Sequence, residues 1–284
     1  MLPAKLQSPI KVASFAEARL LTLLTLALLL FHSLARPAGA RPLTDAASAP
    51  AAAAVYPQFK SQVGTIHWIK EQMPLKVYVS HGLTLDSVMD PHLGAPIANI
   101  DNLPAWPKLV AALIERPDKF KELKPAQCFL DGHYQAACEG VLAWKMFEPQ
   151  LFSFQLTNDP EEADIYVFFT HHFVTKLGMA LFANDIRGYT SKTNFPYKAI
   201  MNGAKANFLP VVCVLRTTDN QGQPMPLGKM KAAASHEFGH ALGIEGHSTN
   251  NGDLMSVYYG RGAISPNDAD TIRYLYQLTP DLIP

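Results

Sequence analysis

The chain has 284 residues, 48% of them hydrophobic, with 24 basic and 24 acidic side chains. That is ample apolar material for one sizeable core, in one domain with room for insertions. The balanced charge does not suggest a polyanion partner, and without a basic stripe interleaved with aromatics nucleic-acid binding has no support.

The N-terminal stretch reads as a targeting segment. Residues 20–31 form an apolar run of about twelve, short of the ~20 that span a bilayer. Lys5, Lys11 and Arg19 precede it, and Ala38-Gly39-Ala40 offers a small-residue cleavage site. A signal peptide over 1–40 predicts a secreted or periplasmic protein. Its long basic lead keeps an uncleaved membrane anchor or an organellar address as alternatives. Cleavage after Ala40 leaves 20 basic against 23 acidic groups.

Residues 41–67, rich in Ala and Pro without apolar period, read as a linker, with the ordered domain spanning 68–284. Residues 75–79 alternate as a strand does. A Pro- and Gly-punctuated region near 83–130 reads as an insertion at a cleft rim, holding one short amphipathic helix over 108–115. His81 and His92, on either side of its start, lack ligand-like spacing and read as solvated loop residues.

Residues 133–147 predict an amphipathic helix with Ala136, Ala137, Val141, Leu142 and Trp144 among its apolar positions. Residues 152–156, 163–169 and 211–215 read as strands. The turn from Asp219 to Gly222 leads into a helix over 228–242. His171-His172 ends a strand, where adjacent side chains point to opposite faces, so the pair reads as rim residues and not as a second metal site. An oxidising compartment permits a Cys128–Cys138 bridge. Cys213, inside an apolar strand, reads as a small buried hydrophobe.

The chemistry concentrates in His236-Glu237-Phe238-Gly239-His240, followed by Gly243, His247 and Met255. Residues four apart on a helix share a face about 6 Å apart along the axis, so His236 and His240 can reach one metal ion. Three neutral imidazoles bind zinc and leave a fourth position for water, and Glu237 is placed to take a proton from it.

The run from His236 to Met255 resembles the metzincin signature, H-E-x-x-H-x-x-G-x-x-H with a downstream methionine turn, and within that clan it is most similar to the matrixins and their bacterial relatives. His247-Ser248 and Asp253-Leu254-Met255 fall where that family has its His-Ser pair and Met-turn. Ile264-Ser265-Pro266-Asn267-Asp268, leading to Ile272 and Leu275-Tyr276, resembles the closing helix. Ser265 and Asp268 also read as a capping box. The resemblance implies an α+β metzincin-like catalytic domain: a twisted mixed β-sheet with packed helices, a zinc helix and a Met-turn. It implies one catalytic zinc on His236, His240 and His247, and Glu237 as general base and then acid. Met255 is implied as an apolar floor. Structural calcium has no support in the sequence.

The family places its third histidine three positions after the glycine. Here Gly246 stands there and His247 comes one later, an extra residue that a wider turn with positive φ would absorb. Glu245 is the competing third ligand. Residues 211–215 lie where the family has the antiparallel edge strand that aligns substrate as an added strand. Tyr258 and Tyr259 read as pocket-wall or core residues, since Val257 occupies the position of the oxyanion tyrosine used by some metzincins. No Pro-Arg-Cys-Gly latency motif occurs.

The leading expectation is a secreted zinc endopeptidase acting on a protein or peptide, with membrane contact only through an uncleaved signal. The alternatives are a zinc hydrolase of the same fold acting on a non-protein amide, and a non-catalytic zinc-containing surface or binding protein.

Overall fold

The computed structural model describes residues 55–85, 89–90, 95–96, 104–173 and 186–284. The targeting segment and His92 lie outside the described residues. In chain order the elements are β1 (Leu75–Thr84), a two-stranded pair β2 (Met89–Asp90) and β3 (Ala95–Pro96), α1 (Trp106–Ile114), α2 (Pro117–Lys121) and α3 (Asp131–Leu142). Then come β4 (Phe154–Thr157), β5 (Ile165–Thr170), β6 (Gly188–Ser191), β7 (Phe195–Pro196), α4 (Tyr197–Met201), β8 (Val211–Arg216), α5 (Leu227–Ala241), α6 (Pro266–Leu275) and β9 (Leu282–Ile283). Among the described helices none is long and apolar enough to cross a membrane.

The main sheet is mixed, in the order β4-β1-β5-β8-β6. Its first four strands run parallel, and β6 closes one edge antiparallel to β8. Every residue of β5 and β8 is buried, as expected for parallel strands covered on both faces, which read as unbroken apolar runs. The edge strand expected at residues 211–215 is therefore an interior strand, and β6 takes the edge. With only four residues, Gly-Tyr-Thr-Ser, β6 carries no alternation from which a strand could be read.

One face of the sheet, with Val77, Val79, Ile165, Val167, Phe169, Val211 and Leu215, packs against α3 and α5. The two helices cross closely: a Cβ on Gly140 would lie 2.8 Å from the Ala234 methyl. Trp144 follows α3 in a 3-10 turn, Ala143–Phe147, that takes over the end of the helix predicted to reach 147. Its indole donates to the Ser235 carbonyl at 2.8 Å.

The other face, with Tyr166, Phe168, Val212 and Val214, packs against Trp106, Val110, Phe120 and Leu123 of the α1–α2 region. That region was expected at the cleft rim. Its apolar stripe instead covers the back of the sheet, where burying each large side chain is worth about 1.5–3 kcal/mol.

Residues 55–67, which composition placed in the linker, pack on this domain. Tyr56, Phe59 and Ile66 are buried, and Ile66 bridges to Leu282 of β9. Three aromatic or aliphatic anchors outweigh a local composition that lacks periodicity. Cys128, Cys138 and Cys213 are all free thiols, so no Cys128–Cys138 bridge forms. His171 and His172 follow the last residue of β5, and their rings meet edge to face at 4.9 Å. The chain has left the strand there, so the opposite-face rule no longer separates them.

Candidate metal centre

The helix that carries the site lies deep. In α5, Ala232, Ala233, Ala234, Ser235, Gly239 and Ala241 are buried together with His236 and Glu237. Small side chains on several faces let the backbone approach both the sheet and α3. His236 and His240 stand one turn apart with ring centroids at 4.7 Å.

Each ring is oriented by a backbone carbonyl. His236 Nδ1 lies 2.7 Å from the Leu254 oxygen and His240 Nδ1 2.6 Å from the Ile244 oxygen. A carbonyl only accepts, so both Nδ1 atoms carry the proton and both Nε2 atoms present bare lone pairs. Those two Nε2 atoms face each other at 3.1 Å. Two acceptors with no hydrogen between them suit a cation, and nitrogens on tetrahedral zinc lie about 3.3 Å apart at ordinary Zn–N lengths. Burial holds the His236 pKa down at about 3 and pushes that of His240 well below its ordinary value. Both rings therefore stay in the neutral form that binds metal.

His247 completes the group. Its ring lies 5.1 Å from that of His236 and 5.0 Å from that of His240. One ligand atom from each of the three histidines falls within 4.8 Å of the others. Gly243 supplies the positive φ that ends the helix, at +119°. Gly246 was expected to absorb the extra residue through positive φ, but it does not adopt one. It is needed for space, because a Cβ there would collide with the Gln58 carbonyl. Glu245, the competing ligand, lies outside the three-histidine group and pairs with Lys192 Nζ at 2.5 Å.

The Met-turn forms the floor. Met255 is fully buried, with its sulfur against Gly239 of the helix. Asp268 Oδ2, from the capping box of α6, accepts the Leu254 N–H at 2.8 Å and the Ser265 N–H at 2.8 Å; its Oδ1 accepts the Met255 N–H at 3.2 Å. That fixes the peptide whose carbonyl orients His236. Ser248 N–H donates to the Met255 carbonyl at 2.8 Å, tying the residue after His247 to the same turn. Its hydroxyl donates to the buried Asp253 at 2.6 Å.

Glu237 lies beside the histidines and is 3% exposed. Burial pushes its pKa up to about 8, a shift tempered by the Thr190 hydroxyl, which reaches Oε2 at 2.8 Å. A cleft of about 350 Å³ opens in front, walled by Gly188, Tyr189 and Thr190 of β6 and by Lys192, Val257 and Tyr259. Tyr259 packs on His236 at 4.3 Å and its hydroxyl accepts the Arg187 N–H at 3.2 Å, whereas Tyr258 is exposed. Gly188, Thr190 and Lys192 are cleft residues that sequence reasoning missed. They lie in a short, mostly polar stretch, Gly188-Tyr189-Thr190-Ser191-Lys192, that carries no periodic signal.

Residues 217–277 match the family model described as Matrixin, a peptidase family. The match starts just after β8 and ends just beyond α6, so it takes in the α5 histidines, the Met-turn and the closing helix. No curated protein matches the chain.

Proposed function

We propose that the chain, whose residues 217–277 match the matrixin family model, is a secreted zinc endopeptidase with Glu237 as its general base. The proposed ligands are His236, His240 and His247. The observation that carries this reading is the pair of bare Nε2 atoms at 3.1 Å, beside the buried carboxylate of Glu237. Zinc held there supplies Lewis acidity, polarising the scissile carbonyl and lowering the pKa of water in the site to about 7.

The chain's own residues do the rest. Thr190 holds Glu237 Oε2, which leaves Oε1 to take the proton of the attacking water and release it to the departing amine nitrogen. The sheet edge β6 runs along the cleft, so an extended peptide pairs with it as an added strand. Export rests on the basic, then apolar, segment of residues 5–31.

The test is cleavage of a proteome-derived peptide library by the purified protein and by Glu237→Ala. The wild type is expected to cut internal peptide bonds and to be inhibited by a hydroxamate. Glu237→Ala is expected to keep its zinc and lose nearly all turnover. A fully active variant would remove Glu237 from the mechanism, and a wild type that cuts no peptide would overturn the assignment.

A further inference from the structure

Lys192 follows β6 directly, and its side chain is only 8% exposed although it carries a charge. A buried ammonium must be paired and hydrogen-bonded. This one meets two groups, Glu245 at 2.5 Å and the His240 carbonyl at 2.6 Å. The second is an end carbonyl of α5, where the helix dipole favours a cation. Glu245 is in turn held through its backbone, its N–H donating to the Phe59 carbonyl at 3.0 Å.

Between these anchors lies the short loop that contains the Ile244 carbonyl orienting His240 and then delivers His247. The loop is one residue longer than the matrixin pattern. Glycines at 243 and 246 contribute no side chain to hold it, so among its apolar residues only Ile244 anchors it in the core.

We propose that Lys192 is a positioning residue for the metal centre: it straps the edge strand to Glu245 and to the end of α5, and so fixes the loop that orients His240 and presents His247. This rests on the three-histidine reading of the site. The strap sets the pitch of the 243–247 loop, so losing it loosens two ligands at once without removing either. Outer-shell partners of metal-ligating histidines typically change metal affinity by about 10–100-fold.

Charge alone predicts the opposite. Removing a cation beside a divalent metal would tighten metal binding, and more so with Glu245 left as an unpaired anion. The sign of the effect therefore separates a strap from an electrostatic neighbour.

The experiment is zinc competition against a chromophoric chelator with the purified full chain, comparing wild type, Lys192→Met, Glu245→Gln and the double variant. Thermal melts of the metal-free proteins are run beside it. Lys192→Met is expected to bind zinc about 10-fold or more weakly, although every proposed ligand and Glu245 remain. Glu245→Gln should weaken binding too, and the double variant should be no worse than the weaker single, as for two halves of one strap. Zinc affinity equal to or tighter than wild type in Lys192→Met would overturn the proposal, as would losses that multiply in the double variant. A loss confined to Glu245→Gln would mark Glu245 as a ligand and equally overturn it. If Lys192→Met does not fold, Lys192→Gln carries the same comparison, since it keeps a donor for the His240 carbonyl and drops the charge. A wild type that binds no zinc would instead bring down the metal-centre reading, and the strap with it.

Discussion

His133, in the first turn of α3, is fully buried and uses both ring nitrogens. Nδ1 accepts the Leu130 N–H at 3.1 Å, and Nε2 donates to the Met225 carbonyl at 2.7 Å. This arrangement fits one neutral tautomer, because a second proton on Nδ1 would face an N–H. Burial accordingly pulls the pKa below the ordinary 6.5, only partly offset by the Met225 hydrogen bond. With the folded pKa depressed, the unfolded chain binds more protons below pH 6.5. The contribution to stability is thus present above that pH and lost as pH falls. A depressed folded pKa against an unfolded value of about 6.5 removes stability between pH 7.5 and 5.5, by at most on the order of 1 kcal/mol. Urea unfolding of chelator-treated wild type and His133→Gln at these two pH values measures it. The wild type should lose more stability than the variant across that interval, by up to about 1 kcal/mol. Equal losses would refute the claim that this ring is locked neutral by its two partners.

Two glycines at the site give contrasting predictions. A Cβ on Gly188 would lie 2.5 Å from Glu237 Cγ and 2.8 Å from Oε1, so Gly188→Ala should keep zinc while kcat/KM falls about 100-fold as the carboxylate is displaced. Unaltered turnover would mean that Glu237 acts from another position. A Cβ on Gly239 would meet Met255 Sδ at 2.5 Å and Trp144 at 2.9 Å. Gly239→Ala should therefore lower stability by about 1–3 kcal/mol in urea unfolding, and an unchanged midpoint would contradict the packing of the Met-turn against α5.

The parts of the fold that were legible in the sequence are those whose signal is local. The α5 motif shows its ligands through an i, i+4 spacing, and the capping box at Ser265 and Asp268 forms as its residue types predict. Strands β1, β5 and β8 follow from their apolar content. Strand position within the sheet is not local: an apolar run such as Val211-Val212-Cys213-Val214-Leu215 specifies burial on both faces, and that argues for an interior strand, not the edge it was aligned with. The true edge, β6, is short and polar because one of its sides faces the cleft, so Gly188, Thr190 and Lys192 join the site with no pattern to announce them. The role of Gly246 was equally hidden, since its neighbour, the Gln58 carbonyl, is distant in sequence. The packing of Tyr56 and Phe59, which follow an Ala/Pro-rich stretch in the sequence, has the same cause: tertiary contacts supply an order that composition does not encode.

The central claim is that three imidazoles share one zinc ion, and metal content tests it most directly. Elemental analysis of the purified, dialysed wild type should give about one zinc per chain. His247→Ala should lose most of it, while Glu245→Ala, which removes only half of an ion pair, should keep a measurable share. A His247→Ala protein that holds zinc as the wild type does, beside a Glu245→Ala protein that holds none, would contradict the account.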